Sequence, residues 1–277
     1  MIDGVSVMLL AQKELRDAIR NRWFMLYAAG FIALTLALSW ISLAGSSGYG
    51  VSGFSRTTAG MVNLVLLIVP LMGLTLGALA VAGERERGEL AAMLAQPVSL
   101  LELLLGKYIG LSLALVAALS IGFGLSSLVI VSQSRAGSVD SYLLMAGITA
   151  MLALGSLSAG FLLSAGLGRG ATALGAALLL WLTFAFLSDL GLMGMALTGS
   201  LGTAGLFTAA VINPLQVFKI AVILGIRDNL EVLGPAGAFA VRTYGDALLP
   251  LLLVILSAWI VLPLGVAYPL ARRRGAI

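Results

Sequence analysis

The sequence predicts an all-α membrane protein: six transmembrane helices, an N-terminal amphipathic interfacial helix, a cytoplasmic elbow and a helical outer segment between spans 5 and 6. Three observations carry this. Hydrophobic residues fill 60% of 277 positions, charged residues only 10%, and mean hydropathy is +1.09. Several apolar runs reach the roughly 20 residues that a helix needs to cross a bilayer. The runs are continuous rather than alternating, which excludes a barrel, and lipid admits no other spanning backbone.

The other totals narrow the chemistry. A net charge of +4 and a pI of about 9.7 belong in this class to cytoplasmic loops rather than to nucleic-acid binding. The chain has neither cysteine nor histidine, so disulfides, thiolate metal sites and imidazole catalysis are unavailable. The first 22 residues are too polar for a cleaved signal peptide, so the first span is expected to direct insertion.

Residues 1–22 form the first unit, with an amphipathic helix over 5–22. Met8, Ala11, Leu15, Ala18 and Ile19 recur at helical spacing, and Lys13, Glu14, Arg16, Asp17 and Arg20 are expected on the polar face. A basic amphipathic helix beside a first span suits the headgroup layer. The transmembrane domain, 23–277, follows with spans at about 24–44, 61–82, 107–131, 142–167, 171–188 and 247–270. Pro70 lies inside span 2, where it can kink the helix and free a carbonyl.

Six spans put both termini on one side, and the basic residues choose which. With that side cytoplasmic, Lys13, Arg16, Arg20, Arg22, Arg85, Arg87, Lys107, Arg169, Arg272, Arg273 and Arg274 face inward, eleven of the 16. Arg56, Arg135, Lys219, Arg227 and Arg242 face outward. The bias favours N-in, C-in.

Residues 189–246 form the periplasmic segment in this topology. The stretch 190–212 is apolar enough to cross, yet a seventh span would put the C-terminal arginines outside. A partly re-entrant helical segment is the expectation. Asn213-Pro214 reads as a helix start, a cap followed by proline in the first turn. Gly234-Pro235 marks a second break.

The densest charge cluster, Glu84, Arg85, Glu86, Arg87 and Glu89, lies between spans 2 and 3. Two short helices are expected there. One runs over Glu84–Leu94 and ends at Gln96-Pro97; the other starts at Ser99-Leu100-Leu101-Glu102, a capping box leading into span 3. Glu84 and Arg87 stand three apart and can pair along the helix. A rigid helix fused to a span can convert a push by a soluble partner into a tilt in the membrane.

Gly83-Glu84-Arg85-Glu86-Arg87-Gly88-Glu89-Leu90, Leu94-Ala95, Pro97-Val98-Ser99 and Gly106-Lys107 resemble the elbow of ABC-2 type transporter permeases. Lys13-Glu14-Leu15-Arg16-Asp17 with Arg20-Asn21-Arg22-Trp23 resembles the N-terminal helix of that family. Glu89-Leu90 and Leu100-Leu101 depart from its usual pattern. A narrower resemblance, to the NosY-like permeases of nitrous oxide reductase maturation, rests on Asn213-Pro214, Phe218-Lys219 and Leu233-Gly234-Pro235-Ala236-Gly237-Ala238.

These resemblances imply a homodimer, a separate cytoplasmic ATPase like NosF holding ATP and magnesium, and a periplasmic copper chaperone like NosD. No cofactor is implied on this chain itself. The ATPase interface would use Lys13, Glu14, Arg16, Asp17, Arg20, Arg22, Glu84, Arg85, Arg87, Glu89, Pro97, Ser99 and Glu102. The periplasmic interface would use Asn213, Pro214, Phe218, Lys219, Arg227, Gly234 and Pro235.

Other functions are weighed on residues. No P-loop is present, since Gly106-Lys107 is followed by Tyr108 and lacks the earlier glycine. Asp189 alone supplies no intramembrane protease site. Met193 and Met195 could offer thioethers to Cu(I), as could Met61, Met72, Met145 and Met151, although methionine equally serves packing. An ABC-2 exporter of a lipid, drug or peptide is the remaining alternative, because small residues such as Gly73, Gly77, Gly122, Gly155, Ser156, Ser158 and Gly160 permit close helix contact in either scheme.

Overall fold

A computed structural model describes residues 3–44, 50–95, 98–131, 139–199, 202–226 and 234–273, and every regular element among them is helical. The described chain begins with α1 (Gly4–Arg20), α2 (Arg22–Ala44), α3 (Gly50–Arg87), α4 (Glu89–Leu94), α5 (Leu100–Val131) and α6 (Val139–Gly166). It continues through α7 (Gly170–Leu182), α8 (Ser188–Thr198), α9 (Thr203–Ile212), α10 (Pro214–Ile226), α11 (Gly234–Tyr244) and α12 (Leu248–Arg273). Among the described residues six helical stretches are long and apolar enough to cross a membrane, as the hydropathy predicts.

Small residues put α6 at the centre, with α3 and α12 as its largest neighbours and α5, α7 and α10 around them. A Cβ on Gly160 would stand 2.5 Å from the Leu74 carbonyl oxygen, and one on Gly77 would run into that of Leu157. The α3–α6 crossing is therefore backbone against backbone, a contact that only glycine allows and that suits helices with no hydrophobic drive to associate. α2, α7–α8 and α12 instead leave most of their apolar surface uncovered, including Trp40, Leu179, Leu190 and Val261.

The prolines are absorbed by neighbours. Trp181 Nε1 donates to the Leu67 carbonyl, three residues before Pro70, at 3.1 Å. Ser158 Oγ donates to the Ile260 carbonyl, three before Pro263, at 2.6 Å. Both acceptors lie in the turn before a proline, next to the carbonyls that the prolines free, so each weakened turn is tied to a neighbouring helix.

Two boundaries differ from expectation. Span 5, read as 171–188, runs on through a π-helical turn, Thr183–Leu187, into α8 and ends at Thr198. Ser188-Asp189 looks like a polar terminus in sequence, but Gln216 Nε2 donates to Asp189 Oδ1 and satisfies the carboxylate within the helix. In the elbow, no helix runs over Glu84–Leu94. α3 continues through Glu84 to Arg87, the chain turns at Gly88 with φ of 75°, and α4 follows. That positive φ suits glycine, so the break falls there rather than at Gly83.

The segment after α8 is sharply bent. α9 and α10 meet at Asn213 with a bend of 112°. At 1.5 Å per residue each helix is about 15–20 Å long, short of the roughly 30 Å hydrocarbon core. α10 packs into the bundle against α6 and α12.

Candidate functional site

The site at the elbow end begins with two glycines. A Cβ on Gly106 would lie 2.6 Å from Leu10 Cβ, and one on Gly110 would lie 2.5 Å from the Ala11 carbonyl oxygen and 2.7 Å from Glu14 Cβ. One turn apart on α5, they form a groove in which α1 lies. The Gly-Lys pair of the elbow motif thereby gains a physical reason: the glycine admits α1, and the adjacent lysine meets what α1 carries.

Lys107 is 1% exposed, the largest charged group in the interior. Its Nζ donates to Glu14 Oε1 of α1 at 2.6 Å and to Glu84 Oε1 of α3 at 2.5 Å. Lys13 closes the cluster from outside, 3.5 Å from Glu14, 3.9 Å from Glu84 and 3.4 Å from Asp17. The buried charges, Lys107 against Glu14 and Glu84, leave one negative charge, which the half-exposed Lys13 offsets at the rim. Burial works against the Lys13 ammonium, but the attraction of Glu14, Glu84 and Asp17 outweighs it and raises its pKa above the ordinary lysine value.

This corrects the expected surface for Glu14 and Glu84. Both are under a tenth exposed and face Lys107 instead of solvent. Amphipathic periodicity assigns every charge to the wet face, whereas here a buried cation draws both carboxylates inward. Met8 and Ile19, on the apolar face read from the sequence, are more than half uncovered by protein. Glu84 does not pair with Arg87 either; Arg87 Nε donates to Glu89 Oε1 at 2.9 Å, and this contact holds the Glu89 carboxyl below its usual pKa.

Four further ties fasten the elbow. Ser99 N–H donates to Glu102 Oε2 at 2.8 Å and Glu102 N–H to Ser99 Oγ at 3.3 Å, the capping box as read from sequence. Glu102 is buried, and its other oxygen accepts from Asp3 N–H at 2.6 Å, tying the start of α1 to the start of α5. Glu86, which the sequence reading left without a role, accepts from Gly170 N–H at 2.8 Å and caps α7. Ser164 Oγ, on α6, accepts from Val81 and Ala82 N–H at 3.0 and 2.8 Å.

Arg16, Asp17, Arg20, Arg22, Arg87 and Glu89 remain on the surface beside this locked core, and Lys13 is half-exposed. Arg85 is partly covered, with Nε and Nη2 lacking a partner among the described residues. Pro97 lies outside the described residues. The elbow end thus offers a charged surface on a base formed by α1, α3 and α5.

At the opposite end, Asn213 does cap α10, its Oδ1 accepting from Leu215 N–H at 2.9 Å. Its Nδ2 donates to the Phe184 carbonyl in the π-helical turn at 2.7 Å. A single side chain thus joins the break in the outer segment to the irregular turn of span 5, a type of turn often found at functional sites. Asn213, Pro214 and Phe218 are buried in the bundle rather than available to a soluble partner. Lys219 is half-buried and lines a cavity. Arg227 lies outside the described residues, and of Gly234 and Pro235 only their helical backbone is described.

Met193 and Met195 stand two apart on α8, which turns their side chains about 200° from one another and prevents a shared ion. Met61, Met72 and Met145 are buried among apolar side chains as packing residues. Among the described residues no group of three carboxylates could hold a metal ion.

Residues 8–275 match the family model described as ABC-2 family transporter protein. The chain is 29% identical over 271 residues to a "Probable ABC transporter permease protein NosY" of Stutzerimonas stutzeri, covering 96% of this chain and 97% of that one. It is 29% identical over 276 residues to the protein of the same name in Pseudomonas aeruginosa strain PAO1, covering 97% and 98%. Taken with the six apolar spans and the elbow, the match over nearly the whole chain establishes that this protein belongs to the ABC-2 family of transporter membrane proteins.

Proposed function

We propose that this chain is the non-catalytic permease subunit of a NosY-like system, working as a homodimer in the cytoplasmic membrane with both termini and the elbow in the cytoplasm. A separate NosF-like ATPase binds Arg16, Arg20, Arg22, Arg87 and Glu89 and supplies the ATP and magnesium chemistry. Its strokes reach the membrane through α1, α3 and α5, and a NosD-like copper chaperone responds on the periplasmic face, in copper-site maturation of nitrous oxide reductase. The observation that carries the coupling role is the Glu14–Lys107–Glu84 cluster, which binds those three helices into one body beneath the exposed charges. A force on α1 or α4 would then move spans 2 and 3 together.

Affinity capture of the tagged protein from native membranes, followed by mass spectrometry, tests this reading. An ATPase together with a periplasmic copper-binding partner is the expected result. An ATPase alone would replace the copper assignment with an exporter of a lipid, drug or peptide. Capture of no ATPase would overturn the permease role.

A further inference from the structure

α8, α9, α10 and α11 enclose a cavity of about 580 Å³ at the end of the bundle away from the elbow. Leu192, Leu206, Phe207, Ala210 and Ile220 supply much of its apolar lining, and among the described lining residues Lys219 is the one that carries a charge. Gln216 and Thr203 add neutral polar groups. A volume in this range, apolar walls and a few placed polar atoms are what a small-molecule site consists of. Among the described residues Lys219 makes no ion pair. Lys219 also lines the adjoining smaller cavity, of about 190 Å³, together with Asp189, whose carboxylate makes no ion pair with it and is engaged by Gln216.

The wall at α8 connects this cavity to lipid. Leu190, Met193 and Leu197 on that helix are 62–78% exposed and apolar, a surface for acyl chains, while Leu192 and Ala196 of the same helix face the cavity. α8 thus presents apolar side chains on both sides, and an acyl chain that entered the space over α9 and α10 would bring its polar end to a cation. A long lysine can hold its stem along apolar surface with the ammonium at the polar boundary.

We propose that this cavity binds one acidic phospholipid from the leaflet opposite the elbow, with an acyl chain against Leu206, Phe207 and Ala210 and its phosphate on Lys219. Both headgroups carry a phosphate, but the choline of a zwitterionic lipid would bring a second cation beside the Lys219 ammonium, whereas an acidic headgroup brings a net counter-charge. The bound lipid would brace the α9–α10 bend against α8 and so tune the outer segment.

The test uses the purified full chain, with any subunits that accompany it, in phosphatidylcholine nanodiscs. A trace of phosphatidylglycerol or phosphatidylcholine carrying a photoactivatable acyl chain is added, and labelled peptides are mapped by mass spectrometry. Labelling of 203–223 by the acidic probe should exceed that by the choline probe roughly tenfold, the scale of one charge-assisted contact. Lys219→Gln should erase the difference, Lys219→Arg should keep it, and Ala210→Trp should remove labelling by both. In wild type, unlabelled phosphatidylglycerol should compete and phosphatidylcholine should not, a readout that needs no variant to fold. Equal labelling by the two probes in wild type, or a preference that survives Lys219→Gln, would overturn the proposal.

Discussion

Lys107 of α5 donates to Glu14 of α1 across 93 residues of sequence, at 2.6 Å and almost wholly out of solvent. Removing one member of such a cluster leaves charge buried without a counter-charge. Lys107→Met should therefore destabilise the protein by about 3–5 kcal/mol, read as lost monodispersity and a lower unfolding midpoint in detergent. Combining it with Glu14→Gln and Glu84→Gln should recover most of the loss, because no buried ion then remains. A triple variant as unstable as the single one would show that shape rather than charge holds the three helices.

The groove for α1 makes a steric prediction. Gly110→Val adds atoms where a Cβ alone would come within 2.5 Å of the Ala11 carbonyl oxygen. The helices must separate, at about 1–3 kcal/mol for an overpacked contact, and Glu14 must draw away from Lys107. A cysteine placed at Ala11, in a chain with no other cysteine, should change from protected to reactive towards a soluble maleimide. Gly147→Val, at a position with open space around it, should leave that protection intact.

Lys13 gives a pH dependence with a defined sign. Its pKa is raised, so its contribution is complete below the ordinary lysine value of 10.5 and disappears only as pH climbs through the higher folded value. An environment-sensitive dye on Arg16→Cys should report a constant position for α1 through neutral and mildly alkaline pH. A transition should follow only above 10.5. Lys13→Gln should eliminate it.

Asn213 serves two elements with one amide. Asn213→Asp keeps the oxygen that accepts from Leu215 and loses the donor to Phe184; Asn213→Ala loses both. Loss of a helix cap costs about 0.5–2 kcal/mol, so the alanine variant should be the less stable in thermal melts. Both should increase hydrogen exchange in the π-helical turn, and the alanine variant should also do so at the start of α10.

Features encoded within a few residues were legible in the sequence. Hydropathy gives the six spans, Ser99 and Glu102 announce their capping box, and Asn213-Pro214 announces α10. What escaped depends on long-range pairing. Glu14 and Glu84 read as wet because nothing near them in sequence indicates a buried lysine, and Asp189 reads as a span end because its partner Gln216 is 27 residues away. Glu86 escaped for the same reason, its partner Gly170 lying on another helix. Phe218 reads as a surface contact from its motif, whereas the 112° bend turns it into the bundle.

The coupling surface is the central claim, and its most direct measurement is retention of the ATPase by surface variants that spare the buried cluster. Arg16→Glu with Arg87→Glu reverses two exposed charges and leaves Glu14, Glu84 and Lys107 in contact. Pull-down and thermal melting would be run on the same purified sample. The account predicts an unchanged melting midpoint with the ATPase lost from the complex. Full retention of the ATPase by the folded double variant would contradict it.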